Sequence, residues 1–458
     1  MFPSTADAPG AYTDYLPAPD QLLTESMSLD SLEDSPPDSE IPLAPTPSRA
    51  AFAFIFVTVT LDMLALGIMV PVLPKLIIEF EGGAMAAAAR ITGVFGFTWA
   101  AMQFVCAPLL GALSDRFGRR PVILLSNFGL GIDYMVMALA PSIGWLFAGR
   151  IVSGITASSF PTAGAYVADV TPAEQRAARF GMLGAAFGLG FIVGPAVGGL
   201  LGSIDLRLPF WVASALSLLN AAYGFFILPE SLPRDRRARL SWRAANPAGS
   251  LTLLRSHPEL LGLAATAFLY FVAHEVLPSL FVLYTDYRYA WNERQVGLAL
   301  AAIGVCSTIV SALFVGPAVA RLGERRALLA GLGFMAASSL VFGLMPSGAL
   351  FLIGVPIAAL AGLTGPALQA LTTRRVDADA QGRLQGALSS LRGIAMMIGP
   401  LLFTQSFASA IHAGGRRLSG IPFVVAALLM IGGAIIARRV TGERAESRKQ
   451  KAVNYFGG

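Results

Sequence analysis

Charge is scarce in this sequence. Asp, Glu, Lys and Arg make up 13% of its 458 residues, roughly half the share of about 25% usual in soluble domains. That excludes the three water-soluble domains that length alone suggests. Cysteine is scarcer still: Cys106 and Cys306 sit far apart in apolar runs, which suits core residues better than a disulfide or a metal pair. The histidines, His257, His274 and His412, form no ligand spacing with them, so no metal site is expected. No phosphate-binding loop, nucleotide motif or activated nucleophile occurs, which argues against an enzyme and against direct ATP drive. No cofactor and no nucleic-acid partner are expected.

Basic residues are missing from the first 48 positions, while Asp7, Asp14, Asp20, Glu25, Asp30, Glu33, Asp34, Asp38 and Glu40 are there with many prolines. Such a stretch forms no core and reads as a disordered acidic tail. Without a basic leading region it is no secretory signal either.

What is abundant is apolar surface, 55% of residues, with 48 glycines and a mean hydropathy of +0.65. From Ala50 onward, apolar stretches of about 20 residues recur, each long enough to cross a hydrocarbon core as a helix. Twelve spans are predicted, near 51–74, 91–113, 121–140, 143–168, 179–201, 208–228, 260–285, 296–319, 326–345, 349–372, 383–409 and 420–437. Arginine clusters fall in alternate loops, at Arg116, Arg119 and Arg120, at Arg234 to Arg255, at Arg321 to Arg326 and at Arg438 to Lys451. The positive-inside rule then puts both termini in the cytoplasm of a bacterial-type inner membrane.

The chain also repeats itself. Gly111, Arg116, Gly118 and Arg120 return 205 residues later as Gly316, Arg321, Gly323 and Arg325. At the same offset Gly194 and Pro195 become Gly399 and Pro400. Six helices separate the copies, so both share one orientation, as in transporters built from parallel halves. The expected organisation is a tail (1–48), a six-helix bundle (49–230), a cytoplasmic linker (231–256), a second bundle (257–440) and a C-terminal tail (441–458).

Two motifs stand out. Gly111-Ala-Leu-Ser-Asp115-Arg116-Phe-Gly118-Arg119-Arg120-Pro121 lies in the short turn between spans 2 and 3. Its aspartate and three arginines exceed what topology requires. Span 5 carries glycines at 188, 190, 194, 198 and 199 with Pro195, a surface nearly free of side chains. Ordinary small-residue packing is the alternative there. The first motif resembles the signature loop of the major facilitator superfamily, and the second its antiporter motif. Thr60-Leu-Asp62, Ile132-Asp133-Tyr134, Gly149-Arg150 and Tyr284-Thr-Asp-Tyr-Arg288 extend the resemblance to the tetracycline-exporter group of drug/proton antiporters. It implies an all-α membrane fold of two pseudo-symmetric six-helix bundles and a latching role for Asp115. It also places Ser307 and Ser311 where that group has a histidine and a glutamine, and Ala337 in place of an aspartate, so tetracycline as substrate does not follow.

Ionisable groups inside lipid are costly and default to function. Here they are Asp62, Asp133, Arg150, Glu275 and Arg392, with His274 beside Glu275. At 1.5 Å per residue, Asp62 and Asp133 lie about 18 Å from the inner ends of their spans and Arg150 about 19 Å, so all three share a level. A structural ion pair is the alternative. Glu275 has no cation on its own span and is the candidate proton carrier, with a wetted, unremarkable carboxylate as the alternative. Gln103 can bond substrate or a neighbouring helix. The resulting expectation is a monomeric, proton-driven exporter of small amphipathic compounds. A metabolite symporter of the same fold, or a receptor that no longer transports, are the alternatives.

Overall fold

The computed structural model describes residues 49–157, 159–238, 258–377 and 380–456. The acidic segment 1–48 and linker residues 239–257 lie outside them. Among the described residues there is no strand. Helices are what lipid demands, because only they satisfy every backbone donor within one segment.

Eleven helices are long and apolar enough to cross a membrane. They are α1 (Phe52–Phe80), α2 (Met85–Phe117), α3 (Arg119–Leu139), α5 (Ala173–Gly202), α6 (Leu208–Ile227), α7 (Leu260–Tyr289), α8 (Glu293–Leu322), α9 (Glu324–Leu344), α10 (Gly348–Thr373), α11 (Gln381–Arg417) and α12 (Ile421–Gly442). The fourth place is taken by two shorter helices, α4a (Ile143–Thr156) and α4b (Ser159–Val170). With them the fold is the expected all-α membrane protein of two six-helix bundles. The first helix outruns its predicted end at 74. Beyond a turn at Pro71 a second segment, Leu73–Phe80, buries Leu76 and Ile77. The last helix continues past the spanning stretch to Phe456.

The repeat is visible in who packs on whom. Helix α5 packs on α1 and crosses to α8; α11 packs on α7 and crosses to α2. Gly118 (φ 111°) and Gly323 (φ 75°) end α2 and α8 in the left-handed region, where a side chain is strained. These two turns belong to the arginine-rich end of the molecule.

Glycines report where the two bundles touch. A Cβ on Gly199 would collide with the Glu293 carbonyl and lie 2.9 Å from the Gly297 Cα. Gly93 and Gly96 of α2 are as tight against Thr404 and Pro400 of α11. Towards the arginine-rich end the contacts fade. Gly188 meets only the Thr308 hydroxyl, at 4.0 Å, and Gly111, Gly181, Gly184, Gly316 and Gly382 have nothing within 4 Å. The bundles are therefore closed at the opposite end and parted at the arginine-rich end.

Aromatic packing reinforces the closed end of the second bundle. The Tyr284 ring lies 4.8 Å from that of Phe423 and 5.8 Å from that of Tyr289, and its hydroxyl donates to the Phe342 carbonyl at 2.8 Å. Arg288 ties three connections together by donating to the carbonyls of Met345 (3.2 Å) and Arg416 (2.6 Å) and to the Ser419 hydroxyl (3.1 Å).

Candidate functional site

Small residues on α4a let α3 bring a carboxylate close. A Cβ on Gly149 would lie 2.6 Å from the Asp133 Oδ1. One residue on, Arg150 Nη2 stands 3.6 Å from Asp133 Oδ2. Both residues are buried, and the guanidinium is otherwise surrounded by sulfur, with Met69 Sδ at 3.1 Å and Met137 Sδ at 3.5 Å. Ser153 is beside Asp133, yet neither carboxylate oxygen nor that hydroxyl completes a hydrogen bond. Asp62 is buried on α1 and acts, with Asp133 and Arg150, on the same Tyr134 hydroxyl. All three are buried in the first bundle and within electrostatic reach of Tyr134. The buried Asn127 amide and the Trp99 indole nitrogen nearby on α3 and α2 also lack partners among the described residues. Gln103 is spoken for, donating to the Ala157 carbonyl at 3.4 Å where α4a ends.

The second bundle presents a different arrangement. Helix α7 is interrupted at Glu275, between Pro258–His274 and Val276–Tyr289. The Glu275 amide bonds the Val272 carbonyl at 3.1 Å, one residue short of the helical register. Gly399 of α11 makes room for it, since a Cβ there would collide with the Glu275 side chain. Glu275 has no cation on its own helix, and the charge that reaches it comes from the facing helix. Arg392 of α11 acts electrostatically on Glu275, His274 and Tyr270. It lies seven residues before Gly399, on the same face of α11. His274 is exposed and packs its ring 5.9 Å from that of Tyr270.

The signature loop forms a network within its own bundle. Asp115 pairs with Arg119, which also reaches Asp169 of α4b at 3.0 Å and the Ser114 hydroxyl at 3.1 Å. Glu230 accepts from the Arg119 amide at 2.8 Å, placing a carboxylate at the positive end of α3. Arg120 donates to the Phe225 carbonyl, Arg116 stacks on Phe117, and the Ala238 amide bonds the Asp115 carbonyl at 3.1 Å. In this conformation the Asp115 pairing described does not extend to α11, because the arginine-rich ends are apart.

On α5 the motif glycines serve two neighbours. Gly190, Gly194 and Gly198 abut Met63, Gly67 and Ile68 of α1, while Gly188 and Gly199 face α8. Pro195 sits within the helix, and its carbonyl is what a Cβ on Gly297 would strike.

The profile of the Major Facilitator Superfamily matches residues 55–400. Tetracycline resistance protein, class C, of Escherichia coli is 40% identical over 84% of this chain and 96% of its own length. The class G protein of Vibrio anguillarum is 36% identical over 83% and 95%. The chain belongs to the major facilitator superfamily, in its tetracycline-exporter group. It is a transporter and not an enzyme. Among solved structures, the human organic anion transporter MFSD10 (TETRAN) aligns over 86% of this chain and all of its own, with a TM-score of 0.63 and 26% identity.

One contact in this superfamily member escaped the sequence reading. Lys75, the single lysine before residue 449, is buried at the closed end of α1. Its ammonium pairs with Asp286 at the end of α7, lies 3.6 Å from Glu293 at the start of α8, and donates to the Trp291 carbonyl at 3.0 Å. One lysine thus joins the bundles on the side where they close. A lone cation opposite two acidic residues on an arginine-poor face was the available signal.

Proposed function

We propose that this protein exports small amphipathic compounds in exchange for protons by alternating access, as a multi-pass inner-membrane protein with both termini cytoplasmic. The observation that carries the reading is where the ionisable groups sit. Asp133, Arg150, Glu275 and Arg392 occupy both bundles, near the depth at which the seam passes from packed to parted at Gly393 against Phe104 and Gly188 against Thr308. A site at that depth is reachable from one side only. With the arginine-rich end cytoplasmic, the conformation is open inward, ready to load cargo for export. Asp62, Asp133 and Glu275 supply proton-binding carboxylates, and opposite bundles let proton and cargo favour different states.

Relatives named for tetracycline resistance and for organic anion transport support a drug-like cargo. Tetracycline is the first compound to try, although Ser307, Ser311 and Ala337 replace polar groups of the exporters this chain resembles. Helix α8 also takes a π-turn over Ser311–Val315, a feature common at functional sites. Energetics suffice: one proton crossing 100 mV supplies about 2.3 kcal/mol, enough for a gradient of about fifty-fold.

The test is purified protein in lipid vesicles with an imposed pH gradient, following dye or tetracycline and internal pH together. Cargo accumulating against its gradient while protons move the other way is expected. Accumulation that ignores the pH gradient, or none for any of a panel of antibiotics and dyes, would overturn the proposal.

A further inference from the structure

Helix α11 carries two kinds of face. Ile398 and Leu402 are exposed apolar residues, as suits lipid. Gly399, Phe403 and Ala410 mark the buried face. At 100° per residue, Arg392 falls within about 20° of that buried face and about 120° from Ile398. An arginine in this position would be expected to be covered, yet Arg392 is exposed. Its neighbour Gly393 packs on Phe104 of α2, so the guanidinium stands at the seam, where the packed zone ends and the parted space begins. It lies eleven residues into α11, about 17 Å from the arginine-rich end of that helix.

No hydrogen bond or ion pair involves this guanidinium among the described residues. Glu275, His274 and Tyr270 of α7 are within its electrostatic reach, but none is bonded to it. A charge deep in the membrane normally takes a partner or coordinates something. Five fixed N–H donors on an exposed guanidinium match a planar oxyanion. Tyr270 and Phe104 add ring surface for an apolar body attached to that anion.

We infer that Arg392 is the anion-recognising group of the central site, so that the cargo includes amphipathic compounds bearing a carboxylate, sulfonate, enolate or phenolate. The inference rests on the export reading and names a cargo class for it. Glu275 competes with the cargo for the same guanidinium.

The experiment uses the full chain in phosphatidylcholine vesicles, which lack anionic lipid, at pH 8. Fluorescein serves as the organic anion and ethidium as the cation. Wild-type protein should transport fluorescein. In Arg392→Gln the ratio of fluorescein to ethidium transport should fall about tenfold or more, as loss of a charge-assisted bond predicts. Arg392→Lys should restore part of it, keeping charge without the planar fork. Equilibrium dialysis of fluorescein against the purified variants should follow the same order. An equal fall for both dyes, with fluorescein binding intact, would mean that Arg392 only neutralises Glu275, and the inference fails. It fails too if wild-type protein moves ethidium alone. Vesicles that move neither dye nor any other tested compound would overturn the export reading itself.

Discussion

A carboxylate at a break in a helix differs from one on an unbroken turn. At Glu275 the helix α7 is interrupted, and its amide bonds the Val272 carbonyl one residue short of the helical register. In the first bundle the environment is more fixed: Arg150 is held between Asp133 and two methionine sulfurs. Glu275→Gln should therefore bind cargo but lose accumulation driven by a pH gradient, keeping downhill exchange, whereas Asp62→Asn should impair both modes. If Glu275→Gln still moves protons with cargo in reconstituted vesicles and Asp62→Asn alone does not, coupling belongs to α1. Removing one member of a buried pair costs roughly 3–5 kcal/mol. Asp133→Asn should accordingly lower the thermal midpoint of the purified protein, and adding Arg150→Met should recover part of the loss. Additive losses in the double variant would show that the pair is not a unit. That these residues are candidates was legible in sequence, because ionisable groups in lipid are rare and costly. Their partners were not. Arg392 and Glu275 lie on helices far apart in the chain, and which faces meet depends on helix rotation that no local pattern encodes.

Elements were more legible than contacts. Apolar length located the eleven long helices, since span length follows from bilayer thickness, but read the two shorter helices of the fourth place as one span. It missed the continuation of α1 beyond Pro74, where the Leu73–Phe80 segment is short and carries a lysine. Glycine spacing on α5 was visible too, but not that it divides into one face for α1 and another for α8. The division makes a prediction. A methyl at Gly198 would run into the backbone of Ile68, whereas one at Gly184 meets open space here. Gly198→Ala should cost about 1–3 kcal/mol as an overpacked contact, read as a lower thermal midpoint, while Gly184→Ala leaves stability unchanged. Equal stability of the two would mean that α1 and α5 separate more readily than their packing implies. The signature loop connects α2, α3 and α4b through Arg119. Asp115→Asn removes the charge that holds Arg119 on one side. Export should fall severely while membrane abundance holds, and normal transport at equal abundance would count against a latching role.

On the scale of the whole molecule, the question is what holds this conformation rather than its alternative. The closed end is joined by packing of α2 on α11 and α5 on α8, contacts between small residues that are individually weak and easily exchanged. Lys75 is different. It is buried, it joins α1 to α7 and α8 through Asp286, Glu293 and the Trp291 carbonyl, and separation of the bundles at that end must break all three contacts. With two carboxylates facing one ammonium, loss of the cation leaves like charges opposed as well as unbonded. Lys75→Met should therefore shift the population towards a state open at this end by about tenfold or more, the range expected when one partner of a shielded charge pair is removed. The shift is measurable as faster reaction of a cysteine placed at Ala89, buried on α2 against the core of the second bundle, with a membrane-impermeant thiol reagent added outside, in a background with Cys106 and Cys306 replaced. Asp286→Asn should do the same more weakly, because Glu293 remains. Exchanging the charges, with Lys75→Asp and Asp286→Lys together, should restore slow labelling in part. Labelling that is no faster in Lys75→Met than in the parent would show that packing alone keeps the far end shut.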